Sequence, residues 1–141
     1  METVRELAER AIELFNAGAL DELVSMYAKD AVEITPRGNY TGHEAISQRL
    51  HGDRLALPDS HLTLRHLTVD GDTAVMECDF AGTHTGPLPM PDGTELPPTG
   101  QHVTFPVVLV SEMHDGQTTE LRMYFDQLPM MMQLGVVSLP G

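Results

Sequence analysis

The chain has one cysteine, eight basic residues and no apolar run long enough to cross a membrane. Each scarcity excludes something. A lone Cys78 cannot form an internal disulfide, and its place in an apolar strand segment predicts a buried, inert thiol rather than a nucleophile. That fits a reducing compartment, and a cytoplasmic location is the default. Eight Lys and Arg against 21 Asp and Glu leave a net charge of -13. Such a surface repels phosphate backbones and anionic lipid, so neither nucleic acid nor membrane is an expected partner. Glu2, Arg5 and Glu9 interrupt the apolar residues of the N-terminus, which is not the pattern of a secretory signal.

Several chemistries also lack their residues. There is no G-x-S-x-G elbow and no Rossmann or P-loop glycine pattern, so nucleophilic, nucleotide and phosphate chemistry are unsupported. The seven histidines include no H-x-H or H-x-x-x-H pair, and His61 and His66 are badly spaced for a shared ion. The expectation is no metal and no cofactor.

What is present reads as one domain of 141 residues, long enough to bury one core. Val4, Leu7, Ala8, Ala11, Ile12, Leu14 and Phe15 recur at helical spacing. Thr3 and Glu6 form a capping box in front, and Gly18 stops the helix. A second helix is predicted from Asp21 as N-cap, carrying Leu23, Val24, Met26 and Tyr27. A short strand covers Ala31 to Thr35. Thr41 and Glu44 make a second capping box, before a helix from about His43 to Leu50.

The rest is β-rich. In His61 to Val69 the alternation slips near Arg65-His66, which predicts a bulge. Asp70-Gly71 signals a hairpin. Thr73 to His84 alternates again, with Ala74, Met76, Cys78 and Phe80 on one side. Five prolines between Thr85 and Gly100 make a stiff loop. Gln101 to Met113 and Thr118 to Phe125 are further strands, Pro106 suggesting an edge or a bulge. Leu128 to Leu134 forms a short apolar tail ending at Gly135. Helices first and strands after predict an α+β domain with the helices packed on one face of a curved antiparallel sheet, whose concave opening is a natural small-molecule pocket.

The segment Gly82-Thr83-His84-Thr85-Gly86-Pro87 resembles the G-T-H-x-G-P stretch of the SnoaL-like polyketide cyclases, also called ester cyclases. Pro97-Pro98-Thr99-Gly100, the Asp115-Gly116 turn, Tyr124-Phe125-Asp126-Gln127 and Gln133-Leu134-Gly135 follow in the family's order. Phe15-Asn16-Ala17-Gly18 fits near the start. The resemblance implies a cone-shaped fold in which a highly curved antiparallel sheet wraps the N-terminal helices around an apolar pocket. This is one of the nuclear-transport-factor-two-like folds, which also contain ketosteroid isomerases, epoxide hydrolases and binding proteins, so fold leaves function open.

The resemblance implies a cofactor-free intramolecular aldol cyclisation with an acid/base aspartate in the last strand. That position is Met123 here. The supporting Gln and His positions fall on Val107 and Leu109, and the Asn position falls on Glu33. Leu121 and Phe125 share the parity of Met123, so all five wall positions are expected to bind an oily ligand.

Glu33 is the expected general base, its pKa raised by a dry setting. Alternation of Val32-Glu33-Ile34 allows a solvent-facing side chain equally. Asp126 is a second acid/base candidate or the cap of the last helix. His84 is a third, or the pin of the Gly86-Pro87 turn. Tyr27 and Tyr40 are candidate phenol donors to an oxyanion, with Tyr27 as a plain core residue the alternative.

The expected function is a cofactor-free cyclase or isomerase for a hydrophobic, polyketide-like or steroid-like carbonyl compound. The rivals are a non-catalytic binder of an apolar molecule and an epoxide-opening enzyme using Glu33 and Asp126. A homodimer is expected by analogy with the family.

Overall fold

The computed structural model describes residues 2–140. Helix α1, Val4–Ala17, starts at the expected capping box: the Thr3 hydroxyl accepts the Glu6 N–H and the Glu6 carboxylate accepts the Thr3 N–H. Gly18 ends it in the left-handed region at φ 73°, where a residue without Cβ is unstrained.

Helix α2 is shorter than its periodicity predicts. It spans Leu20–Ser25 with Ala19, not Asp21, at the N-cap. Met26 and Tyr27 leave the helix, and strand β1 runs Tyr27–Thr35. Tertiary pairing overrides helical spacing here, because the Thr118 N–H donates to the Met26 carbonyl and Tyr27 pairs with Thr118.

Strand β2, Gly38–Thr41, pairs antiparallel with β1. Helix α3 extends over Gly42–Ala56, beyond the predicted end at Leu50. Thr41 is its N-cap, but its side chain makes no capping bond, so the predicted box with Glu44 does not form. The His43 ring instead donates from Nε2 to the Tyr27 carbonyl at 2.7 Å, tying the start of α3 to β1.

Strands β3 (His61–Asp70) and β4 (Thr73–Thr83) form a hairpin whose register shifts between Leu64 and His66, at the expected bulge. The proline-rich stretch contains a small ladder, β5 (Leu88–Pro89) with β6 (Glu95–Leu96). Strands β7 (His102–His114) and β8 (Gln117–Tyr124) turn over Asp115 and Gly116, both at positive φ (50° and 78°), as a two-residue hairpin requires. Helix α4, Gln127–Leu134, follows.

The main sheet has the order β2-β1-β8-β7-β4-β3. It is mixed rather than purely antiparallel: β1 and β8 run parallel. Pro106 is tolerated in the central strand β7 because β8 ends at Tyr124, opposite Val108, so no neighbour awaits its missing N–H on that side. Register shifts at Leu64/His66, Tyr27/Val32 and Glu112/Met113 bend the sheet. The inner face, including Ala74, Met76, Cys78, Val107 and Leu109, packs with Leu7, Ala8, Ile12, Ile46 and Leu50 of the helices. Burial pushes the Cys78 thiol up to about 11, with Asp79 adding to the effect, so the thiol stays protonated and inert.

The start of the proline stretch lies against the end of α3, where the Thr85 and Gly86 N–H groups both donate to the Ala56 carbonyl at 3.0 Å. A Cβ at Gly86 would stand 2.1 Å from the Leu55 carbonyl oxygen. Backbone cannot yield as a side chain can. Gly86→Ala is therefore expected to destabilise the protein by about 3 kcal/mol, measured as a lower urea midpoint at unchanged slope.

Candidate active site

A cavity of about 170 Å³ lies between the inner face of the sheet and helices α1, α3 and α4. For scale, an engineered apolar cavity of about 150 Å³ holds benzene. Phe80, Phe105 and Phe125 form a stacked row along its wall, with centroid separations of 4.8 and 5.0 Å. Val107, Leu109, Leu121 and Met123 continue the wall, with Leu109 directly opposite Met123 on β7 and β8. Met130 and Leu134 of α4 and Leu88 of β5 close one side, so a ligand larger than a ring or two must displace them.

One end of this chamber is polar. Glu33 points inward and is 0% exposed, while Val32 and Ile34 point outward; the solvent-facing alternative is excluded. Glu33 sits on β1, paired with Leu121 of β8 and Tyr40 of β2. Arg49 of α3 grips its carboxylate with two bonds, Nε to Oε1 at 2.6 Å and Nη2 to Oε2 at 2.9 Å. The Tyr27 hydroxyl donates to Oε2 at 2.7 Å. Arg49 also donates from Nη1 to Asp53 Oδ2 at 3.2 Å, and Arg37 donates to Asp53 Oδ1 at 3.1 Å. A further Arg37 bond reaches the Pro89 carbonyl. The guanidinium of Arg49 stands over the Tyr40 ring, 5.9 Å from its centroid.

The electrostatics follow from this arrangement. Burial alone would lower the Arg49 pKa, but the Glu33 charge and hydrogen bonds, with Asp53, outweigh it and raise it. Burial and then the Glu33 charge push the Tyr27 phenol well above its ordinary range. Tyr27 therefore keeps its proton and gives it to Glu33 as a hydrogen bond. Glu33 lies in a dry place, as expected, but not an uncompensated one: its two oxygens take three donors.

The other candidates separate. Tyr27, Tyr40, Val107, Leu109, Leu121, Met123 and Phe125 all line the cavity. Asp126 does not. It is exposed and caps α4, accepting the Leu128 N–H at 3.0 Å, so it cannot flank a water with Glu33 as epoxide opening requires. His84 is fully buried but off the cavity wall. Its Nδ1 accepts the Thr99 N–H at 3.2 Å and lies 2.9 Å from the Thr99 hydroxyl. It thus pins the far end of the proline stretch by its side chain, with the Gly86 backbone also against the ring.

The sequence reading missed Arg49, Asp53 and Arg37. A signal existed: Ile46, Arg49, Leu50 and Asp53 share one helical face by their spacing, so charge sat on a buried stripe. Ending the predicted helix at Leu50 hid it. Among the described residues, no three His, Cys, Asp or Glu side chains gather as a metal ion would require, and no helix is long and apolar enough to cross a membrane.

A family model described as SnoaL-like polyketide cyclase matches residues 5–134. The chain belongs to this family. No curated protein sequence matches it. Solved structures share the fold. IdmH from Streptomyces antibioticus is 25% identical, with 96% of this chain and 100% of that one covered and a TM-score of 0.78. A protein of ketosteroid isomerase-like fold from Catenulispora acidiphila, in complex with trimethylamine, is 16% identical over 98% and 100% at 0.79. TerC, co-crystallised with polyporic acid, is 18% identical over 94% and 98% at 0.75. Family membership supports a function of cyclase or isomerase type.

Two outcomes follow from the geometry. Arg49→Met leaves Glu33 as an unpaired buried charge and should cost about 3–5 kcal/mol; adding Glu33→Gln should return most of it, as urea unfolding of the single and double variants would show. Burial lowers the His84 pKa from its ordinary 6.5. The unfolded chain then takes up a proton below pH 6.5 that the folded one refuses, so stability falls as pH drops through that range. Melting temperature should decline between pH 7 and 5 more steeply in the wild type than in His84→Asn.

Proposed function

We propose that this protein is a cytoplasmic, cofactor-independent cyclase or isomerase that moves a proton next to the carbonyl of a hydrophobic, polyketide-like or steroid-like molecule. The single observation that carries the proposal is a largely apolar chamber in which Arg37, Arg49 and Asp53 gather at one end, the other charged wall residue, Arg54, being bonded to the Phe15 and Ser60 carbonyls. The ligand's ring system lies along Phe80, Phe105 and Phe125. Its carbonyl oxygen turns to the donors of Arg49 and Tyr40, where negative charge develops as an enolate forms. A carboxylate of the same cluster receives the proton. That TerC, which shares this fold, was co-crystallised with polyporic acid supports a small organic ligand.

A binding protein is the second reading. What favours it is that Met123, Val107 and Leu109 stand where the family's acid/base residues are expected, making that part of the wall inert. The two readings differ in turnover, not in affinity.

We further propose a homodimer through the outer face of the sheet. Val75, Val110, Arg122 and Ile34 lie in one row across β4, β7, β8 and β1, with Val108 beside Tyr124. Ile34 and Tyr124 are 36% and 54% exposed, and with the valines they flank the paired Arg122, a mixed apolar and charged face of the kind a second copy covers.

Deuterium uptake into 2-tetralone, a small hydrophobic ketone, tests the enzymatic reading without the natural substrate. Exchange at its α-carbons should exceed the buffer rate by about 100-fold or more and vanish in the cavity-filling variant Leu109→Trp. Binding of the ketone with exchange at the buffer rate would leave the binding reading in place.

A further inference from the structure

We propose that Asp53 is the carboxylate that receives the substrate's proton, and that Glu33 is a positioning residue acting through Arg49. This assignment rests on the acid/base reading above. Three observations carry it. Asp53 is the one Asp or Glu among the described residues on the wall of the cavity; Glu33 lies behind Tyr27 and Arg49. The Asp53 side chain is 30% exposed where Glu33 is 0% exposed. Each Asp53 oxygen accepts a single N–H, at 3.1 and 3.2 Å, which leaves lone pairs free, whereas the Glu33 oxygens share three donors.

Asp53 also stands at a passage. A second cavity of about 230 Å³ lies outside the first, beneath Pro89, Met90 and Pro91. The two share Arg37, Tyr40, Arg49 and Asp53 on their walls. These four side chains form the partition between the oily chamber and the outside. The Arg37 bond to the Pro89 carbonyl holds the β5–β6 hairpin over it. A ligand whose rings fill the chamber therefore presents its polar end at Asp53.

In the step so assigned, the C–H bond next to the carbonyl breaks and Asp53 takes the proton. The electron pair becomes the enolate, held by Arg49 and Tyr40. The enolate carbon either attacks a second carbonyl of the same molecule, whose oxygen takes the proton back from Asp53, or is reprotonated by Asp53 at the far end of a conjugated system. Atoms and electrons balance with no further reactant. Glu33 fixes the plane of the guanidinium through its paired bonds, so its removal alters Arg49 rather than the base.

The test is the 2-tetralone exchange in wild type, Asp53→Asn, Asp53→Glu and Glu33→Gln, with ketone affinity and melting temperature measured for each. Asp53→Asn should lower exchange about 100-fold with affinity kept. Glu33→Gln should lower it less than Asp53→Asn does and weaken ketone affinity, because it loosens Arg49 at the carbonyl oxygen rather than removing the base. Should Asp53→Asn fail to melt cooperatively, Asp53→Glu decides: a displaced carboxylate should slow exchange about tenfold or more with affinity kept. Near wild-type exchange in a folded Asp53 variant, or a greater loss of exchange in Glu33→Gln than in Asp53→Asn with ketone affinity kept, would overturn the assignment while leaving the proton-transfer reading intact. Absence of exchange in the wild type with the ketone bound would sink that reading and the assignment together.

Discussion

The paired contact between Arg49 and Glu33 fixes everything at the polar end of the chamber. A carboxylate with 0% exposure on a sheet strand is tolerable only if its charge is met. Arg49 meets it from α3 with two bonds, and Tyr27 adds a third. The consequence reaches beyond the pair. Because Arg49 is committed on one edge to Glu33, its remaining edge faces Asp53 and the cavity. Arg37 completes the sequence, and its contact with Pro89 sets the hairpin over the mouth. One buried ion pair thereby joins sheet, helix and loop at the place where a ligand's polar end would arrive.

The bent sheet supplies the complementary half. Its register shifts curve the strands, and the inner residues of β4, β7 and β8 are almost all apolar. Such a wall offers no directional contact and holds a ligand by area alone. Orientation must come from the cluster of Arg37, Arg49 and Asp53, since the other charged wall residue, Arg54, is occupied by the Phe15 and Ser60 carbonyls. Apolar Val107, Leu109 and Met123 thus concentrate the chemistry at the mouth rather than in the last strand.

Much of this was legible in the residues. The capping box of Thr3 and Glu6, the bulge near Arg65-His66 and the Gly116 turn carry strong local signals, and the structure contains each. The parity of Leu121, Met123 and Phe125 placed them on one wall, because alternation in a strand leaves no other choice. Tyr27 reads as helical because its spacing from Leu23 and Val24 cannot reveal that β8 pairs with it. The parallel contact of β1 and β8 joins opposite ends of the chain, and no local pattern reports it. Glu33 was identified as buried or exposed with equal weight, since its neutralising partner lies on α3 and a single strand's alternation cannot name it. Arg49 and Asp53 escaped because the helix was ended too early. His84 and Asp126 drew attention as titratable groups, and their hydrogen bonds show one to be a pin and the other a cap.

The most direct measurement is a crystal structure of the protein soaked with 2-tetralone. The account predicts the ring system against Phe80, Phe105 and Phe125, the carbonyl oxygen within hydrogen-bonding distance of Arg49 or Tyr40, and an α-carbon facing Asp53. A ketone bound with its carbonyl toward Leu109 and Met123, or a chamber that stays closed while the ketone sits outside the partition, would contradict it.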